Sequence, residues 1–262
     1  MNALKKILVP VDFSESSIAA LKYAAGMIKS DNSTKCDLIY IIGKSVEAEY
    51  DLKETQKKLE SLKDKYLTPL HIEGELFVKV GKLSEELLAV KESTKADLII
   101  MGTAGSSTGL NESHTTQLLK KADCPVLVIP QNVASFELKN IALAIDQKEI
   151  EDSNSLGILH NIARWFDAKI HLLTVDNNTD GTSNSSNPNE ETLEYYLDTL
   201  DYRHSFAHNS DIEAGINSYV ADKKINMIAI MPRHHAKKSE PSEGQLTKIL
   251  ALNTTKPLLV ID

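Results

Sequence analysis

Two cysteines in 262 residues are too few for a disulfide framework. Cys36 and Cys124 each open or just precede a predicted strand, where a free thiol behaves as a small apolar residue. They also lack the paired spacing of a zinc site. A reducing, cytoplasmic setting is the simpler expectation. Basic charge is short as well: 29 Lys and Arg stand against 37 Asp and Glu, a net charge of −8. Neutralising phosphates needs clustered cations, and here they are dispersed, with no stripe of aromatic and basic residues. Neither nucleic acid nor an acidic membrane surface is therefore an expected partner. The first apolar run, Ile7-Leu-Val-Pro-Val11, stops at Asp12, too soon for a signal peptide or a membrane span.

What the chain does have is repetition. Lys6-Ile-Leu-Val-Pro-Val-Asp12 recurs as Asn140-Ile-Ala-Leu-Ala-Ile-Asp146, at an offset of 134 residues. Ala96-Asp-Leu-Ile-Ile-Met-Gly102 is echoed by Ile225-Asn-Met-Ile-Ala-Ile-Met231, and Cys124-Pro-Val-Leu-Val-Ile-Pro130 by Lys256-Pro-Leu-Leu-Val-Ile-Asp262. Three matched segments in one order predict a duplicated fold unit. The expected domains span residues 1–131 and 138–262, each long enough to bury its own core.

The first copy alternates short apolar, β-branched runs with segments of helical periodicity. Strands are expected at 7–11, 38–42, within 70–80, at 98–101 and at 126–129, with helices near 18–28, 47–65, 83–93 and 113–122. Ser14 is a plausible N-cap for the first of these helices. The second copy repeats the scheme with strands at 141–145, 170–175, weakly at 202–208, 227–231 and 258–261. Its helices are expected near 152–166, 190–200, 211–222 and 245–253. Such an order calls for two tandem doubly wound α/β domains, Rossmann-like, each with a five-stranded, mainly parallel sheet. The polar stretch 177–189 and the irregular stretch His234 to Glu243 read as loops, the first of them mobile.

One constellation carries chemistry: Asp12 after strand one, with Gly102, Gly105, Gly109 and Ser113 after strand four. In a doubly wound sheet, ligands bind beyond the carboxyl ends of strands where the strand order reverses. Glycines let backbone N–H groups approach phosphate oxygens, and a Ser at a helix start adds a hydroxyl where the dipole favours anions. Asp12 could accept a hydrogen bond from a sugar hydroxyl or hold a base. The same residues also read as a turn, a strand-end aspartate and a helix cap, since a lone glycine pair is a weak motif.

Lys5-Lys-Ile-Leu-Val-Pro-Val-Asp-Phe-Ser14, Asp97-Leu-Ile-Ile-Met-Gly-Thr-Ala-Gly105 and Cys124-Pro-Val-Leu-Val-Ile129 together resemble the universal stress protein family. The whole chain is similar to its tandem two-domain form. Some members bind ATP through an aspartate after strand one, main chain at the end of strand two, and Gly-x2-Gly-x9-Gly followed by Ser or Thr. The resemblance implies such a site at Asp12, Ile42 and Gly43, Gly102, Gly105 and the start of the helix after strand four. ATP or a related adenine nucleotide is the implied ligand, with no metal beyond the magnesium that accompanies it.

Here the chain departs from the pattern. Nine residues past Gly105 comes Thr115-Thr116, with no third glycine. Counting back from Cys124-Pro125 puts the Gly-Ser pair at Glu112-Ser113 instead, in a loop about three residues short. A carboxylate there would repel a triphosphate, although Gly109 offers a compensating turn. In the second copy Asp146 remains but the glycines are gone. Pro232 and Gln245 stand near the places of Gly102 and Ser113, and proline has no N–H to donate. The run Arg233-His234-His235 with Lys237 and Lys238 reads as a solvated loop before it reads as an anion site.

Other candidates are bland. His204 and His208 share a strand face without converging, Trp165 and Phe166 read as packing residues, and His114 as a surface histidine. The nucleotidyl transferases of the wider α-hydrolase-like group carry His-x-Gly-His after strand one, where Asp12-Phe-Ser-Glu15 stands here. His71-Ile-Glu-Gly74 is not that motif and is expected on strand three. No Ser-His-Asp or Cys-His arrangement can be argued. The expected function is a non-catalytic, nucleotide-binding stress regulator, the alternative a nucleotide-independent scaffold with both sites degenerate. The family suggests antiparallel pairing of the last strands, Val126–Ile129 with Leu258–Ile261, as an intramolecular pseudo-dimer, with a further homodimer compatible.

Overall fold

The computed structural model describes residues 4–29, 33–43, 52–105, 113–133, 135–145, 156–176, 189–231, 250 and 253–261. Contacts divide the chain into two units, one of Leu4–Phe136 with Ala251–Thr255, the other of Glu137–Leu250 with Lys256–Asp262. Expectations for Gly109, Glu112, Asp146, Pro232, Gln245, the loop at 177–188, the basic run at 233–238 and the start of the 47–65 helix lie outside the described residues.

In the first unit β1 (Lys6–Pro10), α1 (Glu15–Ile28), β2 (Lys35–Ile42), α2 (Leu52–Tyr66), β3 (Leu76–Val80), α3 (Leu83–Thr94), β4 (Leu98–Thr103), α4 (His114–Leu119) and β5 (Val126–Pro130) follow one another. The sheet runs β3-β2-β1-β4-β5, with every pair parallel. Ile7, Leu8 and Val9 of β1 and Leu38 and Ile39 of β2 are fully buried, as continuous apolar runs require when helices cover both faces of a sheet. Each contributes about 1.5–3 kcal/mol by leaving water. α1 and α2 touch one another, and so do α3 and α4. α2 is charged, and Thr55 and Leu59 are its buried residues, so it covers the sheet with a narrow stripe.

The second unit holds β6 (Asn140–Ala144), α5 (Leu156–Phe166), β7 (Lys169–Asp176), α6 (Glu190–Leu197), β8 (Tyr202–His208), α7 (Ile212–Asp222), β9 (Met227–Ile230) and β10 (Leu258–Val260). Its strands run β8-β7-β6-β9-β10, again parallel, the same order as in the first sheet. Both are doubly wound five-stranded sheets.

The likeness extends to single hydrogen bonds. At the head of β4, Asp97 Oδ2 accepts from the backbone N–H groups of Lys5 (2.8 Å) and Lys6 (2.9 Å). At the head of β9, Asn226 Oδ1 accepts from Lys139 and Asn140, both at 3.0 Å. Lys35 pairs with Glu73 and Lys169 with Asp201, each at 3.0 Å. A left-handed lysine follows each of the helices before β4 and β9, Lys95 as the cap itself and Lys224 one residue past the cap.

Some expectations need correction. His71-Ile-Glu-Gly74 lies before β3, not on it: Thr68–Leu70 forms a single 3-10 turn, and His71 caps it at φ 57. A Cβ at Gly74 would come within 1.7 Å of the Cys36 carbonyl oxygen, so that segment passes hard against the backbone of β2. The segment at 202–208 is a full seven-residue strand; it looked weak because an edge strand buries little on either face. Asn189, at the end of the polar stretch, is buried and stands just before α6. Trp165 and Phe166 are half-buried and stack on each other, 4.8 Å between centroids, beside the buried Leu159 and Ile162. Neither cysteine is in a disulfide, both are buried, and burial pushes the Cys36 thiol up out of its reactive range.

Candidate functional site

The strand order of the first unit reverses between β1 and β4, which pair from Ile7–Leu98 to Leu8–Ile99. Asp12 follows the carboxyl end of β1, while Gly102 and Gly105 stand at the end of β4. Ile42 ends β2, next to β1. These residues therefore sit on the one edge of the sheet where a doubly wound fold presents a crevice.

A hydroxyl network holds Asp12. The Ser14 N–H donates to Asp12 Oδ1 at 3.0 Å, and the Ser14 hydroxyl donates to the same oxygen. The Asp12 N–H donates to Ser17 Oγ at 3.3 Å, and Ser17 Oγ donates to the Ser14 carbonyl at 3.1 Å. Ser14 also caps α1, accepting from the Ser17 N–H at 3.3 Å. Partial burial pushes the Asp12 carboxyl up, but the hydrogen bonds from Ser14 and Ser17 and the backbone N–H groups outweigh it. The result is a pKa below the usual 3.8, so Asp12 is an anion and an acceptor at neutral pH. Between Asp12 and Ser14, Phe13 adopts a left-handed backbone at φ 64, and its ring lies 5.2 Å from that of Tyr40 on β2. A residue with a Cβ holds that conformation only under constraint from its surroundings.

Gly102 belongs to this assembly in a way the motif did not suggest. A Cβ there would stand 2.0 Å from the Ser16 carbonyl oxygen and 2.9 Å from the Ser17 nitrogen. The glycine is thus what lets the first turn of α1 lie directly on β4. It connects Asp12 to β4 through backbone packing, whatever else its N–H contacts. Gly105 is different: its φ of 80 is in glycine territory, and its N–H donates to Thr103 Oγ1 at 3.2 Å.

The remaining residues are less tightly joined. The Ile42 carbonyl accepts from the Gly81 N–H at 2.9 Å, an extension of the pairing of β2 with β3. Gly43 is exposed, and a Cβ added to it would meet nothing within 4 Å. Ser113 caps α4: its hydroxyl accepts from the Thr116 N–H at 3.2 Å and lies 3.2 Å from Thr116 Oγ1. Its cap role is real, and α4 begins one residue later, at His114.

Ser16, Ser17, Glu15 and Gln131 escaped the reading by motif. Gln131, just past β5, hydrogen-bonds Glu15 at the start of α1, and its own N–H donates to the Thr103 carbonyl at 2.9 Å. The Ser14-Glu-Ser-Ser17 run directly after Asp12 was the available signal. In the second unit Ile141 pairs with Met227 as Ile7 pairs with Leu98, so Met231 holds the place of Gly102, as the repeat aligns them, and Pro232 is the next residue in sequence. Among the described residues no group of three or more His, Cys, Asp or Glu is arranged to hold a metal, and no helix is long and apolar enough to cross a membrane.

Residues 3–130 match the model of the universal stress protein family. A universal stress protein of Methanocaldococcus jannaschii is 30% identical over 146 residues, covering 49% of this chain and 83% of that protein. The chain belongs to the universal stress protein family. A second universal stress protein of the same organism is 32% identical over 155 residues, 48% of this chain and 94% of its own length. The crystal structure of a universal stress protein from Archaeoglobus fulgidus covers 99% of this chain and 98% of its own, at a TM-score of 0.78 and 16% identity, a likeness of fold alone. Within the universal stress protein fold, Asp12 and the two glycines stand at the reversal of strand order in the unit that the family model matches.

Proposed function

We propose that this chain is a non-catalytic regulator in the stress response that binds an adenine nucleotide, ATP, in its first domain. The observation that carries the reading is the ionised Asp12, tied through Ser17 to the turn of α1 that rests on Gly102, where the strand order reverses. The proposed site comprises Asp12, Ile42, Gly43, Gly102, Gly105, Gly109 and Ser113. Asp12 would accept from a ribose hydroxyl, main chain at Ile42 and Gly43 would meet the base, and the glycine loop would take the phosphates. The left-handed turn at Gly105 fits that task, because it directs backbone toward an anion at a φ costly for other residues. Magnesium would come with the nucleotide.

The domains are proposed at 1–131 and 138–262, copies of one unit, the second with a degenerate site. Within each unit's own sheet, β5 and β10 are edge strands of apolar residues, which supports the pairing of last strands proposed for the family. The setting proposed is the cytoplasm.

A second reading, a scaffold that needs no nucleotide, is favoured by one observation: Asp12 Oδ1 and the Ser113 hydroxyl already have partners within their own turns. Native mass spectrometry of the purified protein, followed by ATP titration of wild type and Gly105→Val, separates the two. Bound nucleotide, or saturation near millimolar ATP that Gly105→Val removes, supports the first. No bound nucleotide and no titration signal leaves the scaffold.

A further inference from the structure

A polar cluster in the second unit lies away from the proposed nucleotide site and stands independently of it. Strand alternation puts Lys169 and His171 of β7 on one sheet face. The pairing of His171 with Arg203 puts Arg203 and Ser205 of β8 on the same face. α7 packs on these two strands, and helical spacing brings Tyr219 and Lys223 to one side of it. The floor of the cluster is His171, which is 2% exposed.

Arg203 Nη2 lies 3.2 Å and Tyr219 OH 2.8 Å from His171 Nδ1, and the other ring nitrogen, Nε2, lies 3.3 Å from Asn140 Oδ1. The Tyr219 hydroxyl donates to Ser205 Oγ at 2.7 Å. Held at a low pKa, His171 is neutral at pH 7, so the guanidinium beside it has no charged partner there. The carboxylates nearby are engaged elsewhere. Asp201 pairs with Lys169 at 3.0 Å and Asp222 with Lys223 at 2.6 Å. Three cations and two carboxylates leave a surplus of one positive charge at exposed Arg203, in a chain whose net charge is −8.

We propose that this cluster is an anion site, in which Arg203 and Lys223 bind a phosphate-type oxyanion above the buried His171–Tyr219 floor. A planar guanidinium suits two oxygens of such a group, and that of Arg203 already rests 3.2 Å from His171, which places it before the anion arrives. The carboxyl end of α7 points its dipole against an anion, so the attraction rests on the side chains and the site is a weak one. An anion there also reaches the imidazole. Desolvation, then the charges of Arg203, Lys169 and Lys223, hold the His171 pKa down at about 4 against the opposite pull of Asp201. A bound oxyanion offsets the cations and raises it.

The test follows the His171 ring by NMR while inorganic phosphate is added to the full chain, with chloride at equal ionic strength as the control. A saturable change in wild type, an upward move of the His171 titration and at least about tenfold weaker binding in Arg203→Gln are expected. Lys223→Gln weakens it less. A response equal to that of chloride, or a saturable one unchanged in Arg203→Gln, overturns the proposal. Glycerol phosphate added in a parallel titration tells free phosphate from a phosphorylated metabolite: tighter binding of the ester assigns the site to the metabolite, equal or weaker binding to the free ion. Arg203 is exposed on an edge strand, so its variant keeps the fold.

Discussion

Asp37 on β2 and His171 on β7 occupy the same place in their sheets. Lys6 pairs with Lys35 as Asn140 pairs with Lys169, and each of the two residues follows two positions later. Around both, the same frame recurs, a clamp at the strand heads and a lysine–carboxylate pair on the outer strands. The centres differ. In the first unit Asp37 Oδ2 lies 3.4 Å from Lys6 Nζ, and Oδ1 accepts from the Glu75 N–H at 2.8 Å, so an ion pair and a backbone bond answer the buried carboxylate. In the second unit Asn140 stands where Lys6 was and Arg203 where Glu75 was, around an imidazole. Acid with its cation became base beneath a cation. The frame tolerates either because it is built from backbone and outer-strand contacts that do not depend on the central charge, while the charge itself decides what the surface above can attract.

The carboxyl ends of the strands differ just as sharply, and the largest expected effect is there. Gly102→Ala forces the first turn of α1 away from β4, and denaturation should show a loss of about 3 kcal/mol, the upper end for overpacking, because the obstacle is backbone. A loss below about 1 kcal/mol would mean that the unit does not need this close approach, and that Gly102 and Met231 are equivalent in packing as well as in register.

The next effect separates the central residues. Since His171 titrates at about 4 when folded and near 6.5 when unfolded, its contribution to stability is full above pH 6.5 and is lost as the pH falls toward 4. Urea denaturation at pH 7 and pH 5 should show wild type losing about 2 kcal/mol more than His171→Gln over that interval. Equal losses would show that the imidazole is no more costly to charge than one in water. The smallest effect belongs to Gly43→Ala. Its Cβ enters open space, and stability should change by less than about 0.5 kcal/mol, while any loss of nucleotide affinity would report contact with the base edge.

The sheets were legible in the chain because strands buried on both faces are apolar without interruption: Ile7 to Val11, Leu98 to Met101 and Ile141 to Ile145 need no register to be seen. Edge strands hid better. β3 and β8 bury no residue fully, and His71 was assigned to a strand because nothing local announces its left-handed turn. The site was legible at Asp12 and Gly105, where chemistry and backbone are local properties. It was not at Gly102, whose meaning depends on a helix far away in sequence, nor at His171, whose counterpart emerges only when two pairing registers are compared.

The clamps at Asp97 and Asn226 also set an order of events. Asp97 follows Lys5 and Lys6 by 92 and 91 residues, and Asn226 follows Lys139 and Asn140 by 87 and 86. A growing chain therefore delivers three strands of each unit before the one that completes its centre. Until then the inner edge of the first strand waits open, so neither half can close its centre before its fourth strand has been made, and the contact that closes it spans a long loop.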